Sequence, residues 1–321
     1  MAKYCFLTPT YKVNFLKLAI DSMLQQSFSD FEIIISDDCS PYNVSDIIKK
    51  YNDSRIKFRR NTSNLGGKKL VDHWNLLLKE SDAEYVIIAS DDDIYQPNFL
   101  EVIDSLSLKY PYVNVLRARV QKIDENGEIT SKEDIFEEYQ TQFDALYGIF
   151  CGNYIGCIGN YVFKRSVLLE EGGFVNFPYA WFSDLVTAIK LMRCGQVNTK
   201  MILFNFRLSN YNISNTKSNK ELDRNKLNAT LFFDEWVSSY MKSINITQLT
   251  VLERNQYNKI LAGYKHRAYT QAGDYSWAIP FWKWWFIYNS FRSHAFFSKM
   301  SFIKYFCISI LNRKVHILVR K

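Results

Sequence analysis

Glycine, proline and long apolar runs are scarce in this 321-residue chain, which has 12 glycines and 6 prolines. Such a composition excludes collagen-like and low-complexity sequence, and no repeat is found at the periods of solenoids or propellers. No run reaches the roughly 20 uninterrupted apolar residues that cross a bilayer. The first residues lack the apolar segment of a signal peptide, and the six cysteines form no CxxC pair. We therefore expect a globular cytoplasmic protein with reduced thiols.

The sequence also lacks the motifs of several common enzyme classes. It contains no GxxxxGK[ST] or GxGxxG phosphate-binding loop and no GxSxG nucleophile elbow. It has four histidines, none in a recognisable triad setting. These absences argue against P-loop NTPases, dinucleotide-dependent enzymes and acyl-transfer hydrolases.

Acidic residues are absent from residues 275–321, which contain eight of the 40 Lys and Arg residues. The remaining 32 basic residues nearly balance the 33 Asp and Glu residues. This tail is also rich in aromatic residues, and a basic, aromatic composition is typical of segments that lie on a membrane surface. The alternative is a helical subdomain with an aromatic core and a solvated basic face. We predict peripheral membrane contact through this region, and no nucleic-acid partner because no nucleic-acid-binding module accompanies it.

The first hundred residues alternate short apolar runs with stretches of helical spacing. The runs predict strands at residues 4–8, 31–36, 55–59 and 85–89, and further strands are predicted at 114–123 and 160–164. Continuous apolar strands separated by helices are typical of a parallel sheet covered on both faces. From about residue 219 onward the patterns are mainly helical. The sequence therefore predicts an α/β protein with a helical C-terminal extension.

Polar residues follow three of these predicted strands. They are Pro9-Thr10-Tyr11, Asp37-Asp38 and Asp91-Asp92-Asp93. Ligands of such sheets bind outside the carboxyl ends of the strands. Clustered carboxylates suit Mg²⁺ or Mn²⁺, and a cation bound there can also hold a diphosphate. The alternative for the last run is an Asp-rich turn in which Asp93 caps the next helix.

A series of short motifs runs through about residues 1–195. They read LTPTY at 7–11, SFSDFEIIISDDCS at 27–40, NLG at 64–66, EYV at 84–86 before the three aspartates, VFKR at 162–165, GGF at 172–174 and WFSD at 181–184. In this order they resemble the family 2 glycosyltransferases of GT-A fold. The family often has Asp-x-Asp-Asp where this chain has Ser90-Asp91-Asp92-Asp93. The resemblance does not cover the chain after about residue 210.

The resemblance implies a GT-A fold, Rossmann-like with a mostly parallel sheet flanked by helices. We assign residues 1–215 to this domain, with the donor part at about 1–120 and the acceptor part at about 121–215, and residues 216–321 to the helical extension. The implied activity is an inverting, metal-dependent hexosyl transfer that uses Mn²⁺ or Mg²⁺. The donor is a nucleotide-sugar, with a UDP-sugar favoured. The acceptor is a hydroxyl of a glycan or lipid-linked acceptor in capsule, O-antigen or exopolysaccharide synthesis at the inner face of the cell membrane.

The resemblance also assigns roles to individual residues. The implied nucleotide-sugar site comprises Thr8, Pro9, Thr10, Tyr11, Asp38, Lys69, Asp91 and Asp92. Within it, Tyr11 stacks on the base and Asp38 reads the base. Asp92 binds the metal, with Asp93 as a further ligand and Asp91 on the ribose or behind the metal ligands. Lys69 contacts phosphate or ribose.

Two further residues are implied for the acceptor side. Asp184 falls where the family places its general base, and Trp181 lines the acceptor site. One base facing one leaving group gives a single displacement and inversion at the anomeric carbon. Without the resemblance, Asp184 is equally interpreted as a helix N-cap.

Two alternative functions differ in class from a glycosyltransferase. A sugar nucleotidyltransferase also joins a Rossmann-like sheet to metal-binding acids. It requires a Gly-rich, basic loop after the first strand, which residues 9–12 do not provide. A non-catalytic membrane-docking scaffold with a degenerate GT-A fold predicts no metal-dependent nucleotide binding.

Overall fold

A computed structural model describes residues 1–213 and 219–319, with only the helical backbone for 313–319. Its internal contacts divide the chain into two compact units. The first unit comprises Met1–Ala145, Asn153–Asn176 and Ser183–Thr216, and the second comprises Leu146–Gly152, Phe177–Phe182 and Lys217–Lys321. The boundary predicted between residues 215 and 216 lies outside the described residues. The sequence did not indicate that residues 146–152 and 177–182 belong to the second unit.

The strands of the first unit begin and end close to the predicted positions. In the described residues they are β1 Tyr4–Thr10, β2 Phe31–Asp37, β3 Ile56–Arg60, β4 Tyr85–Ile88, β5 Ile94–Tyr95, β6 Val115–Ile123, β7 Ile129–Lys132, β8 Tyr139–Gln140, β9 Tyr161–Lys164 and β10 Gln196–Arg207. The α-helices among the described residues before 213 are α1 Leu16–Leu24, α2 Val44–Ile48, α3 Leu70–Glu80, α4 Phe99–Lys109, α5 Gln142–Cys151, α6 Arg165–Glu170 and α7 Ser183–Leu191. The short strands β5, β7 and β8 and the long strand β10 were not predicted.

The strands form one mixed sheet in the order β3-β2-β1-β4-β9-β6-β10-β5, with β7 on β6 and β8 on β10. Strands β3, β2, β1 and β4 are mutually parallel, and β6 is parallel to β10, whereas β9 is antiparallel to both its neighbours. The predicted α/β fold with a mostly parallel sheet is therefore confirmed. Thr10 is opposite Asp37, and Asp37 is opposite Arg60. This register brings the carboxyl ends of β1, β2 and β3 to one edge.

The core explains why the apolar runs form central strands. Residues 4–7 of β1 are almost completely buried, and the Phe6 ring packs edge-on against Phe31 and Tyr95. Burial of each such ring contributes about 1.5–3 kcal/mol relative to its exposure to water. On α1, Leu16 and Ile20 recur at helical spacing and are fully buried. Because the central strands are covered in this way, most of their residues are apolar. The aspartates lie where the strands end.

The second unit is helical, as predicted for the C-terminal region. Its long helices are α8 Lys220–Ser243, α9 Val251–Tyr275, α10 Trp284–Ser293 and α11 Lys299–Val319. The side chain of Asn219 caps α8, and Thr250 and Glu253 form a capping box at the start of α9. Buried Asp234 pairs with Lys265 at 2.7 Å and with His294 at 2.8 Å. Among the described residues, no helix is long and apolar enough to cross a membrane.

Candidate active site

Asp91 fixes the loop that follows β1. Its Oδ2 accepts hydrogen bonds from the backbone amides of Tyr11, at 3.0 Å, and Lys12, at 2.9 Å. The hydroxyl of Ser40, beyond β2, donates to the Tyr11 carbonyl at 2.6 Å. The loops after β1, β2 and β4 are therefore joined at one sheet edge. Tyr11 remains 43% exposed there, so it is accessible to a ligand.

The three consecutive aspartates are all buried but face different partners. The Lys12 ammonium lies 2.7 Å from Asp92 Oδ2 and 3.1 Å from Asp91 Oδ1. Asp93 instead accepts the backbone amide of Arg207 at 2.8 Å. Burial raises the pKa of Asp93 well above its ordinary value, and the neighbouring charge of Asp92 raises it further. Of the two predicted metal ligands, Asp92 thus faces the Lys12 ammonium, whereas Asp93 faces β10.

Arg207, at the end of β10, donates hydrogen bonds to residues 91–93, which we call the aspartate loop. Its Nε donates to the Asp92 carbonyl at 2.9 Å, and its Nη1 donates to the Asp124 carbonyl at 3.1 Å. The guanidinium also lies 4.4 Å from the centre of the Phe15 ring. The sequence did not identify this residue, because a single arginine at the end of an unpredicted strand carries no motif.

Asp38 organises the loop at residues 61–66. Its Oδ1 accepts hydrogen bonds from Asn61 Nδ2 at 2.8 Å and from the Leu65 amide at 2.9 Å. Its Oδ2 accepts the Gly66 amide at 2.9 Å and Asn64 Nδ2 at 3.3 Å. Gly66 has φ +64°, and an added Cβ there would lie 2.9 Å from Asn64 Oδ1. The four donors use the acceptor positions of a carboxylate, so in this conformation Asp38 shapes the loop rather than facing a ligand.

His73 lies beneath this loop on α3 and is almost fully buried. Its Nε2 is 2.8 Å from Ser36 Oγ and 3.5 Å from Asn61 Nδ2. Burial lowers the pKa of His73, an effect that the nearby Asp38 charge partly opposes. The imidazole is therefore a neutral buried group that supports the Asp38 loop.

Asp184 is half-buried in the first turn of α7, where its Oδ1 accepts the Leu185 amide at 2.7 Å. The helix begins at Ser183, so Asp184 lies within the helix and not at its N-cap. Burial raises the pKa of the Cys157 thiol well above its ordinary value, and Asp93 and Asp184 both raise it further. Asp184 and the aspartate loop are thus both within electrostatic range of Cys157.

Four other predicted donor-site residues occupy different environments. Thr8 is fully buried, with its hydroxyl 3.9 Å from Met23 Sδ, so the structure does not bring it to the edge. Pro9 lies within β1, and Thr10 is buried while its carbonyl accepts the Asp38 amide at 2.8 Å. Lys69 is exposed on the turn that precedes α3.

Trp181 belongs to the second unit and contacts its helices. The indole Nε1 donates to Gln271 Oε1 at 2.8 Å, and the Lys226 ammonium lies 4.3 Å from the ring centre. Burial lowers the pKa of Lys226, which Asp223 partly opposes. Trp181 is therefore fixed by polar partners within its own unit.

The metal implied by the resemblance would bind at the aspartate loop. Among the described residues, no group of three or more His, Cys, Asp or Glu side chains is arranged to hold a metal ion. Asp91 and Asp92, however, present one oxygen each to a single cation, the Lys12 ammonium. Mg²⁺ is commonly bound by one or two carboxylates together with substrate phosphates and water. The pair fits a cation shared with a diphosphate, and not one held by protein side chains alone.

The family match decides the identity of the domain. The sequence matches Glycosyl transferase family 2 over residues 5–172, just over half of the chain. The chain is a family 2 glycosyltransferase. The predicted family and enzyme class are confirmed.

Curated relatives of the enzyme include named glycosyltransferases. It is 26% identical over 225 residues to the UDP-Glc:alpha-D-GlcNAc-diphosphoundecaprenol beta-1,3-glucosyltransferase WfgD of Escherichia coli, covering 68% of this chain and 81% of WfgD. It is 34% identical over 97 residues to the putative colanic acid biosynthesis glycosyl transferase WcaA of E. coli K12, covering 29% of this chain and 34% of WcaA.

Solved structures share the fold at low sequence identity. The crystal structure of residues 1–349 of Staphylococcus aureus TarS with UDP-GlcNAc has a TM-score of 0.58 at 14% identity, over 97% of this chain and 92% of that fragment. The mannosyltransferase PcManGT of Pyrobaculum calidifontis, with GDP-Man and Mn²⁺, has a TM-score of 0.55 at 12% identity, over 97% of this chain and 86% of that chain. These matches confirm the predicted fold.

Proposed function

We propose that the enzyme transfers a hexose from a UDP-sugar, with inversion and with Mn²⁺ or Mg²⁺, to a hydroxyl of a lipid-linked glycan during bacterial surface-polysaccharide assembly. The observation that carries this proposal is the sheet edge that combines the exposed Tyr11 ring with the Asp91–Asp92 pair. The names of WfgD and TarS support a uridine donor and, for WfgD, a diphosphoundecaprenol-linked acceptor.

The donor site is assigned from this edge. Tyr11 stacks on the base, and Asp38 contributes through the Asn64-Leu65-Gly66 loop that it holds. Asp91 and Asp92 hold the divalent cation, which neutralises the diphosphate leaving group when bound. Asp93 remains a predicted further ligand, and its Oδ1 also accepts the Arg207 amide. Lys69, on the exposed turn before α3, is assigned to the phosphates.

The proton transfer is assigned to Asp184. Its carboxylate takes the proton from the acceptor hydroxyl as that oxygen attacks the anomeric carbon and the bond to the nucleoside diphosphate breaks. One attacking oxygen and one leaving group on opposite faces of the sugar give inversion. Trp181 is assigned to the acceptor.

Membrane contact is assigned to the second unit. Phe281, Trp282, Trp285 and Phe286 are each more than half exposed, an unusual density of exposed aromatic side chains. Lys283 is interleaved with them, and 275–321 contain no acid. Aromatic rings and cations together suit an anionic lipid surface, where a lipid-linked acceptor resides. We place the enzyme peripherally at the inner face of the cell membrane.

The donor is tested by thermal stabilisation of the full chain with UDP, GDP, dTDP, CMP and ATP, each with and without Mn²⁺ or Mg²⁺. A ligand that binds the folded state raises its stability according to its concentration relative to its dissociation constant. We expect a cation-dependent shift with UDP. A shift with GDP or dTDP alone contradicts the uridine assignment, and no shift with any nucleotide favours the scaffold alternative.

The base is tested with Asp184→Asn. Loss of a general base costs about 10²–10⁴-fold in turnover, so we expect sugar transfer to fall by that factor while UDP affinity is retained. Asp46→Asn is the matched control, because Asp46 also lies in the first turn of a helix but on the exposed α2. Turnover by Asp184→Asn within tenfold of the original enzyme removes Asp184 as the base.

A further inference from the structure

Lys12 is the positive partner of the acidic pair that the proposed function assigns to the metal. Its ammonium lies 2.7 Å from Asp92 Oδ2 and 3.1 Å from Asp91 Oδ1. The ammonium therefore lies where the oxygens of the pair converge.

In the loop after β1, the backbone of Lys12 is held by hydrogen bonds, whereas its ammonium is held only through a flexible side chain. Asp91 Oδ2 accepts both the Tyr11 and the Lys12 amides, which anchors the main chain. A lysine ammonium is a point charge on a flexible four-carbon stem with no fixed orientation. Its side chain is 27% exposed, so part of it is in contact with solvent.

Asp91 and Asp92 also need a cation whether or not substrate is present. Both are less than 5% exposed, and adjacent buried carboxylates are costly without a compensating charge. Lys12 supplies that charge within the polypeptide. A divalent cation that bound to the same two oxygens would have to displace it.

We propose that Lys12 is the resident counter-ion of Asp91 and Asp92, that a divalent cation competes with it for this pair, and that the displaced ammonium pairs with the diphosphate of the donor. The competition requires only the acidic pair. The final pairing rests on the proposed function.

Coupled binding follows from this exchange. A cation that binds alone leaves the Lys12 ammonium without its carboxylates, so binding of the cation alone is weakened. When UDP is present, its diphosphate receives the ammonium, so each ligand strengthens the other by the same factor. Lys12 therefore makes the metal enter together with the nucleotide.

The experiment measures the affinity of the full chain for Mn²⁺, by electron paramagnetic resonance of the free ion, with and without UDP. Removal of a charge a few ångströms from the site is expected to strengthen binding of Mn²⁺ alone at least about tenfold in Lys12→Gln, with a smaller enhancement by UDP. In Lys12→Arg the guanidinium bridges two carboxylates more firmly, so Mn²⁺ alone binds more weakly than to the original enzyme. Lys17→Gln is the matched control, because Lys17 pairs with Asp21 on the surface of α1.

Lys12→Arg keeps the charge and provides the test if Lys12→Gln fails to fold. Equal Mn²⁺ affinity in the original enzyme and in every Lys12 variant that folds overturns the proposal. UDP binding without any Mn²⁺ binding also overturns it, since Lys12 is then a permanent substitute for the metal. Loss of UDP binding in all forms, with the Mn²⁺ competition intact, contradicts the proposed donor and leaves the exchange at Lys12 supported.

Discussion

The carboxylates at the sheet edge that follows β1, β2 and β4 have partners of different mobility. Asp38 accepts amides of the 61–66 loop, and Asp93 accepts a strand amide. These partners belong to the backbone and cannot leave without local unfolding. Asp91 and Asp92 instead share a side-chain ammonium, that of Lys12. Of these four carboxylates, Asp91 and Asp92 alone share a side-chain cation, so the exchangeable cation position is assigned to this pair.

Asp92→Asn tests whether the Asp91–Asp92 pair binds the divalent cation, because it replaces one carboxylate oxygen by an amide nitrogen. Because the Asp92 carboxylate faces the cation position, we expect the change to weaken Mn²⁺-dependent UDP binding by about tenfold or more. Isothermal titration with and without Mn²⁺ measures the effect. An unchanged metal response in Asp92→Asn assigns the metal to Asp91 and Asp93 instead.

His73 gives a prediction for pH. Burial lowers the pKa of His73 in the folded state below its ordinary value of 6.5, so the unfolded chain binds more protons at this site. His73 therefore adds to the free energy of unfolding above about pH 6.5. This contribution is lost as the pH falls from about 6.5 through the lowered pKa of the folded state. Urea unfolding at about pH 7.5 and about pH 5 should show a smaller acid destabilisation in His73→Gln than in the original enzyme. Equal losses in both proteins rule out His73 as a contributor.

At the level of elements, α3 is tied to the chain that leads towards α7. Asn75 on α3 accepts the Phe174 amide through Oδ1 at 2.8 Å and donates to the Phe174 carbonyl through Nδ2 at 3.1 Å. The Trp74 ring packs edge-on against the Phe174 ring. These contacts bring a segment 99 positions away onto the helix that follows the Asp38 loop.

Gly172 and Gly173 provide a matched pair at this contact. Both have positive φ, +86° and +84°, but an added Cβ has open space at Gly172 and overlaps Asn75 Oδ1 at Gly173. We expect Gly172→Ala to cost about 1 kcal/mol through backbone strain alone. Gly173→Ala should cost roughly 1–3 kcal/mol more, because it also disrupts the hydrogen bonds of Asn75. Chemical denaturation compares the two, and equal losses contradict a structural role for the Asn75 contact.

At the level of the whole molecule, the C-terminal region combines the two alternatives considered from its sequence. Ile287, Phe291, Phe302 and Phe306 are buried in the second unit. Phe281, Trp282, Trp285 and Phe286 are exposed. Deletion of residues 275–321 would therefore remove core side chains as well as the exposed surface, and loss of folding would hide any loss of membrane contact.

Substitution of the exposed ring residues separates these effects. We expect replacement of Phe281, Trp282, Trp285 and Phe286 by Ser to reduce sedimentation with anionic vesicles severalfold without lowering thermal stability, because these side chains contribute little to the core. Replacement of Val251 and Leu252 by Ser is the control, since both are exposed apolar residues of the same unit. Undiminished vesicle binding contradicts membrane contact through the aromatic surface.

The sequence by itself determined six strands, β1, β2, β3, β4, β6 and β9, and the polar residues that follow three of them. Apolar runs such as those of β1, β2 and β4 are local signals, and the motifs around Tyr11, Asp38 and Asp91–Asp93 lie near strand ends whatever the details of packing. For that reason the fold class and the family could be predicted. The long strand β10 was missed because polar residues at 198–200 interrupt its apolar pattern.

Only the tertiary structure decided which partners the acidic residues have. The amides of Tyr11 and Lys12 meet Asp91 across about 80 positions of sequence, and the Arg207 amide meets Asp93 across 114. Such pairs depend on strand register and on the loops that the sheet brings together, and not on local spacing. Coulombic and hydrogen-bond energies act between atoms a few ångströms apart. The pairing of Lys12 with Asp91 and Asp92, and that of Asp93 with the Arg207 amide, therefore depend on the folded chain.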